Sequence, residues 1–266
     1  MTQSTAEPSS TSEPVPASAI STGDIELLGR VMPASNATFV GLVNGIQVVY
    51  KPVAGERPLW DFPEGNLAQR EVAAYAVSEA LGWNVVPTTV LRDGPHGPGM
   101  VQAWAEPDVD VAPVDIVPEG TLPPGYLHVF DAVGPDDEPV ALVHEDSLPL
   151  RRMAVFDVIV NNGDRKGGHV LAISDGHRFG VDHGVSFHVD NKLRSVLWGW
   201  LGEPLTDDET DAVRRVRDDP ALRRRLTHLV TPDELDAFVG RCDDLLDAGV
   251  LPAPSGEWPA IPWPAF

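Results

Sequence analysis

Four side chains in this sequence have the types and the order that phosphoryl transfer requires: Lys51, Glu71, Asp164 and Asp182. Lys51 closes the apolar run Val49-Tyr50-Lys51-Pro52, which sets an ammonium at the end of a strand where it can meet phosphate oxygens. Glu71 follows on the next helical stretch, placed to hold that lysine. Asp164 lies in Asn162-Gly163-Asp164-Arg165, a glycine-flanked turn from which a carboxylate can enter a cleft and orient an attacking hydroxyl. Asp182 follows Phe179-Gly180-Val181, so its charge needs compensation, and a divalent cation can supply it. Joined by a strand, a turn and a strand, the two aspartates can converge on one cleft.

These groups need a sheet, a helix and a turn to hold them. Residues 24–30, 38–43 and 46–52 are short apolar runs rich in β-branched side chains, and Asn44-Gly45 between the last two is a strong hairpin signal. Residues 33–38 predict a turn-rich tip that would overhang the end of this sheet. Residues 67–81 repeat apolar side chains at helical steps, with Gly82 as a stop. Residues 85–91 and 100–104 predict two more strands around a turn at 92–99. Residues 148–160 predict a buried helix that delivers Asn161-Asn162-Gly163-Asp164, followed by strands at 170–173 and 178–181. From 206 to 246 the pattern is helical, with Pro220 and Pro232 starting new helices.

Two stretches fall outside these patterns. Residues 1–20 are Ser, Thr, Pro and Glu without apolar period and are expected to lie outside the fold. Residues 107–149 hold ten acidic side chains, eight prolines and no Lys or Arg, the composition of a solvated connector, with one short hairpin at 126–132 and 139–143. The resulting division is a disordered tail at 1–22, a nucleotide-binding sheet and helix at 23–105, and a mostly helical part at 106–266.

The chain has 266 residues, 42% of them hydrophobic, enough for a sizeable core. Cys242 is the only cysteine, which excludes an intrachain disulfide and a Cys-based zinc site and fits a helix-face core position. A formal net charge of -21 argues against a nucleic-acid partner. The charge is unevenly placed: residues 151–200 carry seven Lys and Arg against five Asp and no Glu, while the remainder carries the acidic excess. A basic-leaning stretch around the proposed phosphate chemistry is what an anion site requires. There is no apolar run long enough for a membrane span and no ordinary secretory signal, so a cytoplasmic location is expected.

The order Lys, Glu, Asp-Arg and Asp-x-Gly resembles the phosphatidylinositol 3- and 4-kinase-like superfamily, in particular its compact actinobacterial branch. Gly163-Asp164-Arg165 and Asp182-His183-Gly184 carry the resemblance. It implies an α+β, two-lobed kinase-like fold, with a small antiparallel sheet and one helix preceding a mostly helical lobe. It also implies ATP as the nucleotide, Mn²⁺ or Mg²⁺ as the metal, and a small-molecule or lipid-headgroup hydroxyl as the acceptor. By carry-over, Ser35 and Asn36 touch phosphates, Gln102 to Trp104 form the adenine-contacting hinge, Arg165 supports the catalytic loop, and Lys192 and Arg194 suit an anionic acceptor. His169 stands where the superfamily places a metal-binding Asn, and an imidazole nitrogen favours Mn²⁺ over the harder Mg²⁺.

Three other readings compete. A degenerate, nucleotide-binding pseudokinase is compatible with His169, and an AMP transferase is compatible with the same fold. A metal-dependent hydrolase using Asp164, His169, Asp182 and His183 would leave Lys51 and Glu71 without a task. Nothing in the sequence fixes the oligomeric state, and a monomer is slightly favoured.

Overall fold

A computed structural model describes residues 13–31, 36–57, 59, 62 and 67–266. The fold is α+β, with a five-stranded antiparallel sheet in the N-terminal part and helices in the C-terminal part. The first sheet contains β1 (Glu26–Arg30), β2 (Phe39–Val43), β3 (Ile46–Pro52), β4 (Thr89–Gly94) and β5 (Gly97–Ala103), in spatial order β1-β2-β3-β5-β4. Asn44 and Gly45 both take positive φ, 52° and 82°, so the predicted hairpin closes as a tight turn whose twist suits the flanking strands.

Helix α2 (Leu67–Leu81) matches the predicted range. It is buried on most of its faces because it lies between the sheet and the C-terminal helices, so its pattern lacks a clear polar side. Glu56 reaches back to its first turn, accepting from the backbone N–H of Leu67 at 2.9 Å and of Ala68 at 2.8 Å. A carboxylate there satisfies orphan donors and complements the positive end of the helix.

The C-terminal part contains α3 (Leu148–Val160), the short pair β9 (Val170–Ala172) and β10 (Arg178–Gly180), then α4 (Asp207–Asp218), α5 (Pro220–Leu226) and α6 (Pro232–Ala248). The proline starts are as predicted, and capping boxes at Thr206/Glu209 and Thr231/Glu234 fix the entries to α4 and α6. Helix α3 ends at Asn161 in the left-handed region, φ 55°, and this turns the chain sharply into the Asn162–Asp164 stretch. Cys242 is buried in the main core beside helix residues such as Phe238 and Leu245. No helix among the described residues is long and apolar enough to cross a membrane.

The structure corrects three expectations. Residues 17–21 are not outside the fold: they form a short helix, α1 (Ala17–Ser21), whose Ile20 is fully buried under the sheet with Val48 and Tyr50. Its backbone is held by Asn44 and Arg92 side chains, so a single apolar anchor suffices. Residues 107–149 are more than a connector with a hairpin. They form a three-stranded sheet of β6 (Val114–Pro118), β7 (Tyr126–Val133) and β8 (Pro139–Glu145), ordered β6-β8-β7. Prolines flank or end its strands and a bulge between His128 and Phe130 breaks the alternation, so the sequence hides it. Glu145 ties this sheet to β10 through a two-pronged pair with Arg178 at 2.8 and 2.9 Å. The predicted strand at 85–91 begins only at Thr89, because the Val86 N–H is taken by Ser78 Oγ and the Val85 carbonyl by Gly180.

Candidate functional site

A cleft of about 270 Å³ separates the end of β3 from the turn after α3 and the segment after β10, and Lys51, Glu71, Asp164 and Asp182 all line it. Lys51 is carried there near the end of β3, on the face opposite the buried Tyr50, with Pro52 beside it in the cleft wall. Its ammonium donates to Glu71 Oε1 at 2.8 Å and also meets Asp182 Oδ1. The second oxygen of Glu71 accepts from the His183 backbone N–H at 2.9 Å. One buried carboxylate thus joins the lysine to the backbone that presents Asp182.

Asp182 adopts φ 62°, unusual for a residue with a side chain. The Lys51 ammonium holds its carboxyl well below the usual carboxylate range, against the opposing effect of burial. Asp164 is shifted the other way. Burial raises its pKa, and Lys166, whose Nζ lies 3.7 Å from Oδ2, opposes that rise. Two carboxylates in one cleft with pKa values driven apart are suited to different tasks, one to holding cations and one to handling protons.

His169 bridges the pair. Its Nδ1–H donates to the Asp164 carbonyl at 2.8 Å, and its Nε2 lies 3.5 Å from Asp182 Oδ2. Burial lowers its pKa, so the ring is neutral near pH 7 and Nε2 carries a lone pair toward the carboxylate. Two electron-rich atoms facing one another at that distance suit a cation between them. Among the described residues no group of three or more His, Cys, Asp or Glu side chains is arranged to hold a metal, so Asp182 and His169 would supply two donors and phosphate oxygens or water the rest.

Beneath the cleft lies a sealed polar network. Arg165 is fully buried and donates to both oxygens of Asp157 at 2.7 and 2.9 Å, to the carbonyls of His169 and Val181, and to His183 Nε2. Arg165 therefore lies beneath the cleft, under the turn that carries Asp164, and does not line it. Asn162 bonds Asp157 through Nδ2 at 2.9 Å and receives the Asp164 N–H on Oδ1 at 3.0 Å. The turn is clamped from the other side by segment 192–196: Arg194 Nε donates to the Gly163 carbonyl at 2.6 Å, and the Arg165 N–H donates to the Arg194 carbonyl at 3.0 Å.

The remaining predicted residues divide. Asn36 lines the cleft and its Oδ1 accepts from the Arg57 N–H at 2.9 Å. Ser35 lies outside the described residues. The side chains of Gln102 and Trp104 do not line this cleft. Gln102 is buried in the sheet, where its amide donates to Thr89 Oγ1 at 2.9 Å across the β4–β5 ladder, and Trp104 Nε1 donates to Glu106 at 2.7 Å. Lys192 is buried with its ammonium 4.6 Å from the Trp258 ring centre, while Arg194 is half-buried with its Nε on the Gly163 carbonyl.

Sequence reasoning missed Asp157, Asn162, Arg57 and Lys166. An aspartate inside the apolar run of α3 is itself the signal for Asp157, since a buried carboxylate demands a cation. Lys166, two residues beyond Asp164, was legible from its spacing. Arg57 had no signal, because its place on the cleft follows from the loop after β3.

Protein Rv2133c of Mycobacterium tuberculosis (strain ATCC 25618 / H37Rv) is 48% identical to this chain over 260 residues, covering 92% of the chain and 93% of that protein. The chain belongs to the Rv2133c family. No protein-family model matches it. Among solved structures, it is similar to the Helicobacter pylori proinflammatory kinase CtkA, with 12% identity, a TM-score of 0.48, and coverage of 87% of this chain and 94% of that one. Membership of the Rv2133c family extends over nearly the whole chain, from the first sheet to the C-terminal helices.

Proposed function

We propose that this protein is an ATP-dependent phosphotransferase of the phosphatidylinositol 3-/4-kinase-like type, acting on a hydroxyl of a small molecule or lipid headgroup. The observation that carries this reading is the convergence of Lys51, held by Glu71, with Asp164 and Asp182 on one cleft. In this reading the Lys51 ammonium binds nucleotide phosphates and Glu71 holds it at the cleft. Asp182 and His169 are the residues that would hold a divalent cation, which when bound neutralises charge on phosphate oxygens. Asp164 accepts the hydrogen bond of the acceptor hydroxyl and orients it, and its raised pKa suits a group that takes a proton late in transfer. Arg165 and Asn162 keep the turn in place from below. Lys166, beside Asp164, adds positive charge where a phosphoryl group would pass.

His169 supports one second reading, a nucleotide-binding protein with little transfer, because an imidazole replaces the amide oxygen that the superfamily pattern supplies to the metal. A single assay separates the two. Purified protein is incubated with ATP and Mn²⁺ or Mg²⁺, with and without inositol lipids and small polyols, and ADP and phosphorylated products are quantified. The phosphotransferase reading predicts ADP formation that falls by about 100-fold or more in Asp164→Asn, the scale of a lost general base. Nucleotide binding with no ADP above the Asp164→Asn background would establish the second.

A further inference from the structure

A second cavity, of about 240 Å³, lies between α3, α6 and segment 191–198, and shares no lining residue with the cleft. Its walls are mostly apolar, with Val158, Leu193, Trp198 and Leu245 among them, and it contains two charged side chains, Arg241 and Asp244. An apolar hollow with a few polar groups is the common form of a small-molecule site.

Arg241 is the unusual wall. Its Nε donates to the Ile159 carbonyl at 3.0 Å and its Nη1 to the His188 carbonyl at 3.1 Å, which fixes the guanidinium plane between α6, the end of α3 and the loop before the cavity. Its Nη2 is sealed from solvent and has no hydrogen-bond partner. Both bonds go to backbone carbonyls, and neither neutralises a full charge. Burial pushes the Arg241 pKa down to about 10 and outweighs the opposing pull of the Glu234 and Asp244 carboxylates, neither of which is hydrogen-bonded to the guanidinium. A buried guanidinium with an unused donor is costly unless an anion reaches it.

We propose that this cavity binds a small monocarboxylate with an apolar body, its carboxylate meeting Arg241 and its body packing on Leu193, Trp198 and Leu245. The charge balance selects the anion. Asp244 in the same wall would repel a phosphate dianion more strongly than a single negative charge, and only one guanidinium nitrogen is unpaired. The apolar majority of the wall favours a hydrocarbon or aromatic body over a sugar. This inference does not depend on the activity of the cleft.

The test is calorimetric titration of the full chain with phenylacetate and with hexanoate, with hexylammonium and inorganic phosphate as the comparisons. The expected result is saturable binding of the carboxylates, no binding of hexylammonium, and phosphate weaker by about tenfold or more. Arg241→Gln should weaken carboxylate binding by about tenfold or more, the scale of a lost charge-assisted hydrogen bond. Ala253→Trp provides a second variant that keeps Arg241, because Ala253 is an exposed residue of the cavity wall and an indole there fills the hollow. It should abolish carboxylate binding while the protein keeps its melting temperature. Absence of saturable carboxylate binding, phosphate binding as tight as carboxylate, or binding that survives Ala253→Trp would each overturn the proposal.

Discussion

Lys51 and Asp182 are 131 positions apart in the chain and touch across the cleft, where the end of the first sheet meets the segment after β10. Glu71 completes the contact from α2, so one ammonium is shared by two carboxylates from different elements. The buried member of that trio is Glu71, while Asp182 stays half exposed.

Lys51→Met should leave Glu71 as a buried carboxylate facing a methyl group. An unsatisfied buried charge of this kind costs on the order of 1–3 kcal/mol or more. Urea unfolding should therefore show Lys51→Met less stable than the wild type, and Lys51→Met with Glu71→Gln should recover part of the loss. Equal loss in single and double variants would mean the pair does not couple.

Arg165 should matter more for stability than any residue on the cleft surface. Removing one partner of a buried ion pair typically costs about 3–5 kcal/mol, because the other charge is stranded. Arg165→Met should approach that range in denaturant unfolding, and Arg165→Met with Asp157→Leu should be closer to wild type than Arg165→Met alone. A loss under about 1 kcal/mol for Arg165→Met would show that the network beneath the turn is not what holds it.

His144 predicts a pH dependence away from the site. It is fully buried, its Nδ1 donates to the Glu145 carbonyl at 2.9 Å, and its Nε2 accepts from the Gly199 N–H at 3.0 Å, which requires the neutral ring. Burial lowers its pKa in the fold, so the unfolded chain binds the extra proton first as pH falls below about 6.5. Stability from this group is present above that pH and lost below it, with a slope of up to about 1.4 kcal/mol per pH unit. His144→Gln should flatten the stability profile between pH 7 and 5, as read by chemical denaturation, by up to one proton's worth. Gly199→Ala should disturb the same contact, since a Cβ there would fall 2.5 Å from His144 Nε2 and 2.7 Å from Leu127 Cβ, and both neighbours are held by their own elements.

The ranges of α2 and α3 were legible because each carries sustained apolar spacing over several turns, and the Asn44-Gly45 hairpin was legible because only special residues accept its backbone. The sheet of β6, β7 and β8 was hidden by its prolines and its bulge, and α1 by having one buried apolar residue to announce it. At the site, sequence order picked out Lys51, Glu71, Asp164 and Asp182, and the resemblance added His169, all of which the fold gathers within one neighbourhood. It could not separate residues facing the cleft from residues sealed beneath it. Arg165 and Asp164 are adjacent in sequence, yet one is fully buried against Asp157 and the other opens to the cleft. Lys192 looked like a surface charge because its partners on the far C-terminal segment have no sequence proximity.

His169 is the natural handle on metal choice in the proposed function. His169→Asn exchanges an imidazole nitrogen for an amide oxygen, which suits the harder Mg²⁺. Nucleotide affinity measured by calorimetry should favour Mn²⁺ over Mg²⁺ in the wild type, and the ratio should fall in His169→Asn. An unchanged ratio would remove His169 from the cation site.

The most direct measurement of the central claim is a thermal-shift titration of the protein with ATP, ADP and GTP, each with Mn²⁺ and with Mg²⁺, beside Asp182→Asn. A ligand at about 100 times its dissociation constant stabilises a fold by about 2.7 kcal/mol, so binding is readily seen. The account predicts a metal-dependent rise in melting temperature with ATP that Asp182→Asn largely loses. A wild-type melting temperature unmoved by every nucleotide and metal pair, or the same rise in Asp182→Asn, would contradict it.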